Sequence, residues 1–118
     1  MSFDLNYHRD SNGKLHREDG PAIHNGKDTE RWYREGKLHR TDGPAIITPW
    51  GEKWFVEGKR HRTDGPASVS SFKGKITEEK WFLNDKEVSW PDVARWNWEN
   101  GNKEVALQIV QKYVDDNG

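Results

Sequence analysis

The chain has no cysteine, a single methionine and only five prolines in 118 residues. Without cysteine there is neither a disulfide framework nor a Cys-ligated zinc site, which fits a reducing cytosol. No apolar run approaches the ~18 residues of a membrane span, and Met1-Ser2-Phe3-Asp4 lacks the basic and apolar regions of a signal peptide. The expected location is therefore cytoplasmic. Net charge is also nearly absent: 19 basic and 20 acidic residues leave -1, with no general pull toward nucleic acid or membrane. Apolar residues are scarce, at 31%, and mean hydropathy is -1.17. That scarcity alone points toward disorder, but seven Trp, three Tyr and four Phe reverse it. Each buried aromatic withdraws ~150–250 Å² from water, and few are needed to close a thin core. One small domain over residues 1–118 is expected.

What the chain does have is repetition. Gly13 to Ala22 reads GKLHREDGPA, Gly36 to Ala45 reads GKLHRTDGPA and Gly58 to Ala67 reads GKRHRTDGPA, with starts 23 and then 22 residues apart. A fixed period in that range marks stacked supersecondary units, each too small to bury its own apolar face. Asn12-Gly13, Glu35-Gly36, Glu57-Gly58 and Asn84-Asp85 read as two-residue hairpin loops. The last three follow the aromatic pairs Trp32-Tyr33, Trp54-Phe55 and Trp81-Phe82. Counting back from such a loop sets Arg34 opposite Lys37, Tyr33 opposite Leu38 and Trp32 opposite His39, and likewise Phe55 opposite Arg60 and Trp54 opposite His61. In residues 1–12, a worn lead-in to the first repeat, Tyr7 is expected to stand in for the later aromatics.

Short strands after each Asp-Gly-Pro return through Asn25-Gly26, Pro49-Trp50-Gly51 and Lys73-Gly74. The fold class expected is mainly β with C-terminal α: an antiparallel meander of tandem hairpin repeats over residues 1–89, capped by helices in 90–118. Thr41-Asp42-Gly43-Pro44 is either a tight turn or a bulge within one bent strand. Ser89 with Asp92 predicts a capping box and a helix over about 90–98. Asn102 then caps a second helix, whose stripe of Val105, Ala106, Ile109, Val110, Tyr113 and Val114, with Leu107 near its edge, is expected to cover the open face or end of the sheet.

The recurring His16, His39 and His61, with Arg17, Arg40 and Arg62 and with Asp19, Asp42 and Asp64, invite a catalytic reading. Catalysis needs one set of groups converging on one point, whereas these are three copies. Trp32, His39, Asp42, Trp54, His61, Asp64 and Trp81 are therefore read as structural: Asp closes the turn, Arg pairs with an Asp, and His packs edge-on against the cross-strand Trp. Equivalent residues two strands apart lie about 10 Å from one another, too far to share a metal at ~2.1 Å, so no metal site is expected. Phosphate-loop, nucleophile-elbow and metalloprotease motifs are missing, and no cofactor is expected.

Binding candidates lie where repeats differ. Residues 31–62 hold eight Lys or Arg against four acids. Trp50, in a turn, with Arg31, Arg34, Lys53, Arg60 and Arg62, either forms a basic aromatic groove able to stack a base or anchor a protein, or folds back on its hairpin with the charges solvated. Trp96 and Trp98, helical alternates, point apart, so at least one is expected outside the helix–sheet contact. An open N-terminal hairpin edge also suits a homodimer.

The string W-[YF]-x-x-[GD]-K-x-H-R-x-D-G-P-A, complete from Trp32 to Ala45 and from Trp54 to Ala67, resembles the tryptophan-rich tandem repeats of tailed bacteriophages and giant viruses, which are similar to divergent MORN-type repeats. The resemblance covers about residues 12–90 and extends to the ending W-F-L-N-D-K-E-V-S followed by a helix. It implies a β-hairpin array and a viral accessory gene, and no catalytic residue. MORN repeats proper centre on Tyr-x-Gly where this chain has Asp-Gly-Pro, so their lipid binding is not carried over. The function expected is non-enzymatic binding of a host protein in counter-defence or host takeover, in the host cytoplasm. The alternative is a sponge for an anionic nucleotide signal, and the third is a His/Arg/Asp phosphodiesterase or nuclease.

Overall fold

The computed structural model describes residues 5–117; the Met1–Asp4 stretch, read above as lacking signal-peptide features, lies outside them. The elements are β1 (Asn6–Tyr7), β2 (Ile23–His24), β3 (Glu30–Arg31), β4 (Tyr33–Arg34), β5 (Lys37–Leu38), β6 (Ile46–Thr48), β7 (Gly51–Lys53), β8 (Phe55–Val56), β9 (Lys59–Arg60), β10 (Ser68–Phe72), β11 (Lys75–Leu83) and β12 (Lys86–Val88), followed by α1 (Trp90–Glu99) and α2 (Lys103–Asn117). Eight strands form one antiparallel sheet in the order β1-β2-β3-β6-β7-β10-β11-β12, while β4-β5 and β8-β9 are separate hairpins. The expected meander with a helical C-terminus is the fold of the protein.

Hairpin register follows the loops. Glu35-Gly36, Glu57-Gly58 and Asn84-Asp85 all have both central residues at positive φ, from 49° to 83°, the geometry that matches strand twist in a two-residue loop. Tyr33 pairs with Leu38 and Phe55 with Arg60, as counted. The first loop departs from the expectation. Asp10 N–H donates to the Lys14 carbonyl and Arg9 bridges Leu15, so the loop spans Ser11, Asn12 and Gly13. The Asp10 carboxylate accepts the N–H groups of Asn12 and Lys14, stabilising the extra residue.

Between its hairpin and the next strand, each repeat loops out of the ladder. Trp32 donates its N–H to the Ala45 carbonyl (2.7 Å) and accepts the His39 N–H at its own carbonyl (3.0 Å). The Trp strand thus runs straight while residues 40–44 of its partner are extruded. Asp-Gly-Pro belongs to an excursion inside one ladder, which answers the turn-or-bulge question in favour of an enlarged bulge. Trp54 makes the same two bonds with Ala67 and His61. In the first repeat those bonds belong to His8, with Ala22 and His16, so His8 rather than Tyr7 holds the aromatic position. Tyr7, one residue earlier, pairs with Ile23 and is 54% exposed.

The core sits at the C-terminal end. Trp81, Val93, Ala94, Ile109 and Tyr113 are buried together, with Leu83, Val88, Trp90 and Val105 against them. Trp81 has no excursion after it: its cross-strand partner is Val88, and the chain then enters α1. The Tyr113 ring meets Trp81 edge-on at 5.1 Å, the favoured arrangement for two quadrupoles. Asp92 accepts the Ser89 N–H (3.0 Å) and hydroxyl (2.9 Å), fixing the start of α1 as the Ser-x-x-Asp pattern predicts. Asn97 is almost fully buried and donates to the carbonyls of Val93 (2.9 Å) and Thr63 (2.6 Å), tying α1 back to the third repeat. The stripe expected on α2 divides: Ala106, Ile109 and Tyr113 are buried, whereas Val110 and Val114 are exposed with Leu107. The reason is that α2 packs chiefly against α1, and a single helix–helix contact takes one row of side chains.

Candidate functional site

Each repeat motif is closed on itself. The Arg40 guanidinium carbon lies 3.9 Å from the Trp32 ring centroid, its Nε donates to Asp42 (2.9 Å) and its Nη1 to the Pro44 carbonyl (3.1 Å). Arg62 repeats this with Trp54, Asp64 and Pro66 at 3.9, 2.8 and 3.1 Å. On the far side of the guanidinium lies the glycine: a Cβ on Gly43 would stand 2.7 Å from the Arg40 carbon, and one on Gly65 2.6 Å from that of Arg62. Neither glycine has positive φ, so space rather than backbone angle demands it. The hydrogen bond from Arg40, with its charge, holds the Asp42 carboxyl below its usual range. Ala22, Ala45 and Ala67 are fully buried at the re-entry to the ladder.

The histidines join repeats. Nδ1 of His16, His39 and His61 accepts the N–H of Glu35, Glu57 and Asn84, the first loop residue of the following hairpin, at 2.9–3.0 Å. Burial pushes the His61 imidazole below its ordinary pKa. In place of the expected edge-on contact between His and Trp, arginine takes the ring face. The reason is geometric: the excursion folds Arg back over the indole, while His points along the array.

The binding candidates are not brought to one groove. Arg31, Ile46, Lys53, Ser68 and Lys80 lie opposite one another across β3, β6, β7, β10 and β11 and so share a face; Glu30, Ile47, Glu52, Val69 and Glu79 share the other. Arg60, opposite Phe55, falls on the Lys53 face and pairs with Asp85 at 2.8 Å over the Phe82 ring. Arg34 and Arg62 fall on the tryptophan face, paired with Glu18 (3.0 Å) and Asp64 (2.8 Å). The period of two splits the set. Trp50 is 68% exposed in the β6–β7 loop, held by its N–H on Thr48 Oγ1 and its carbonyl on Ser71 N–H. Trp96 is half-buried and Trp98 is 49% exposed, so the helical alternates do differ.

Sequence reasoning did not single out the cleft beside Trp98. Its volume is about 260 Å³ and its walls are Trp90, Pro91, Ala94 and Trp98 of α1 with Ala106, Leu107 and Val110 of α2, Arg95 being the sole charged residue. The signal was present in Leu107, Val110 and Val114, spaced i, i+3 and i+7 on α2, a second stripe beside the buried one.

No group of three or more His, Asp or Glu able to hold a metal ion occurs among the described residues, and none of the described helices is long and apolar enough to cross a membrane. Compared with known proteins, the chain matches no family model, no curated protein and no solved structure.

Proposed function

We propose that the protein is a non-enzymatic binding protein, a viral accessory factor of the kind the repeat resemblance implies, that engages a host protein. One observation carries this reading: the recurring His, Arg and Asp are spent on the scaffold, while large apolar side chains stand exposed where the repeats end or differ, at Trp50 and Trp98. Exposed tryptophans beside cations are the usual anchors of protein interfaces. A nucleotide sponge needs several free guanidinium groups at one point, and Arg34, Arg40, Arg60 and Arg62 each already face a carboxylate, which leaves Arg31 of the candidate arginines. A hydrolase needs a free imidazole or carboxylate at a shared point, and His39 and His61 accept main-chain N–H groups of the next hairpin.

The test is affinity capture from host-cell lysate with wild type, Trp50→Ala and Trp98→Ala in parallel. A stoichiometric partner held by wild type and lost by one variant is the expected result. Background recovery by wild type, or a partner held equally by all three, sinks the proposal.

A further inference from the structure

We infer that the cleft between α1 and α2 is a seat for one amphipathic helix of acidic character, supplied by a protein partner; this deepens the binding reading and rests on it. The two helices form a hairpin joined through residues 100–102. Each has two apolar faces. One is turned inward, through Val93 and Ala94 of α1 and Ile109 and Tyr113 of α2. The second faces out: Pro91 and Trp98, seven residues apart, are exposed on α1, and Leu107, Val110 and Val114 stand exposed at i, i+3 and i+7 on α2. Two outward stripes at helical spacing, side by side, present the ridges and groove that a third helix fills.

The floor and the backbone chemistry select the occupant. Ala94 and Ala106, both about 5% exposed or less, close the base of the cleft with short side chains, so its depth lies between the longer Trp98, Leu107 and Val110. An extended peptide would find side chains there and no strand edge, leaving its own N–H and C=O groups unpaired. A helix bonds its backbone internally and enters with anchors at i, i+3/i+4 and i+7. The charge follows from the rim. Arg95 lines the cleft, Lys103 holds its ammonium 5.0 Å from the Trp98 ring centroid, and no carboxylate is among the lining residues. Lys103 also continues the α2 stripe, four residues before Leu107. A partner helix with Glu or Asp flanking its apolar row meets both cations; one with Lys is repelled.

The probe is a synthetic peptide of about 20 residues with Leu at heptad positions a and d, Glu at e and g, and Ala and Gln elsewhere to favour helix without like charges at i, i+4, compared with the counterpart carrying Lys at e and g. Titration is followed by tryptophan fluorescence and by amide shifts. The Glu peptide is expected to bind at least about tenfold tighter than the Lys peptide, with shifts confined to α1 and α2. Trp98→Ala and Leu107→Glu weaken it, and Arg95→Glu with Lys103→Glu inverts the preference; these positions are solvent-facing, and circular dichroism checks that each variant keeps its helices. Equal affinity for both peptides, no binding, or shifts elsewhere overturns the inference. So does a dimer in sedimentation that Leu107→Glu splits, since a second copy then fills the cleft. A lysate partner that is captured but not displaced by the Glu peptide leaves the binding reading standing and removes the helix. Peptide binding without any lysate partner does the reverse.

Discussion

The guanidinium of Arg40 is held between the Trp32 ring, 3.9 Å away, and the bare Cα of Gly43. A cation over an indole gains from the ring quadrupole, more so as water is excluded, and the glycine lets the excursion close tightly enough to exclude it. The sandwich recurs at Arg62, Trp54 and Gly65, which makes it the unit of construction.

Adding one methyl group to that unit is therefore costly. Gly65→Ala is expected to displace the Arg62 guanidinium, the group its methyl meets first, and to destabilise by about 0.5–1 kcal/mol, the range for a lost cation–π contact, measured by urea unfolding. In an Arg62→Ala background the same substitution costs much less, because the atom it meets is gone. Equal cost in both backgrounds places the strain elsewhere.

Arginine and aspartate in the motif contribute unequally. Arg62→Ala removes the ring contact and the bond to the Pro66 carbonyl, leaving that acceptor part-buried, and is expected to cost about 1–3 kcal/mol. Asp64 is well exposed, so Asp64→Asn is expected to cost under about 1 kcal/mol. Thermal melts of the two variants side by side decide it.

Acid weakens the link to the last hairpin. Burial lowers the His61 pKa in the folded state, so the unfolded chain, near the ordinary value of about 6.5, takes up the proton first. Stability from this group is complete above that pH and is lost as pH falls toward the folded value. Melting temperature should therefore drop between pH 7.5 and 5, and His61→Gln should flatten part of the drop. An NMR titration giving His61 a pKa above its ordinary value contradicts the sign.

Asn97 ties the helices to the repeats. Replacing it with Leu leaves the Thr63 carbonyl without its 2.6 Å donor and the side chain in a space shaped for an amide. A loss of about 1–3 kcal/mol is expected, with hydrogen exchange rising first in α1.

The hairpins were legible because loop chemistry acts locally: Glu35-Gly36 sets Tyr33 against Leu38 whatever lies beyond. The excursion was not, since two ladders meeting at Trp32 differ only in which carbonyl receives which N–H. The first repeat was misread at Tyr7 for the same reason, the motif there being too worn to show that His8 carries both bonds. On α2 the apolar pattern is wide enough for two faces, and it alone does not say that Ile109 is turned inward while Val110 is left outside. The proposed basic groove failed on alternation, with Lys53 and Arg62 on opposite faces of one sheet.

The histidine links have a direction. His16 needs Glu35, His39 needs Glu57 and His61 needs Asn84, so every repeat histidine reaches toward the following hairpin and never toward the preceding one. Shortening from the amino end leaves each remaining repeat histidine with its donor, whereas shortening from the carboxyl end strands one. During synthesis each ring waits some twenty residues for its donor to emerge, and the helices, made last, close the series. As far as these links go, length is more open to revision at the front of the molecule, while its rear is fixed by what must follow.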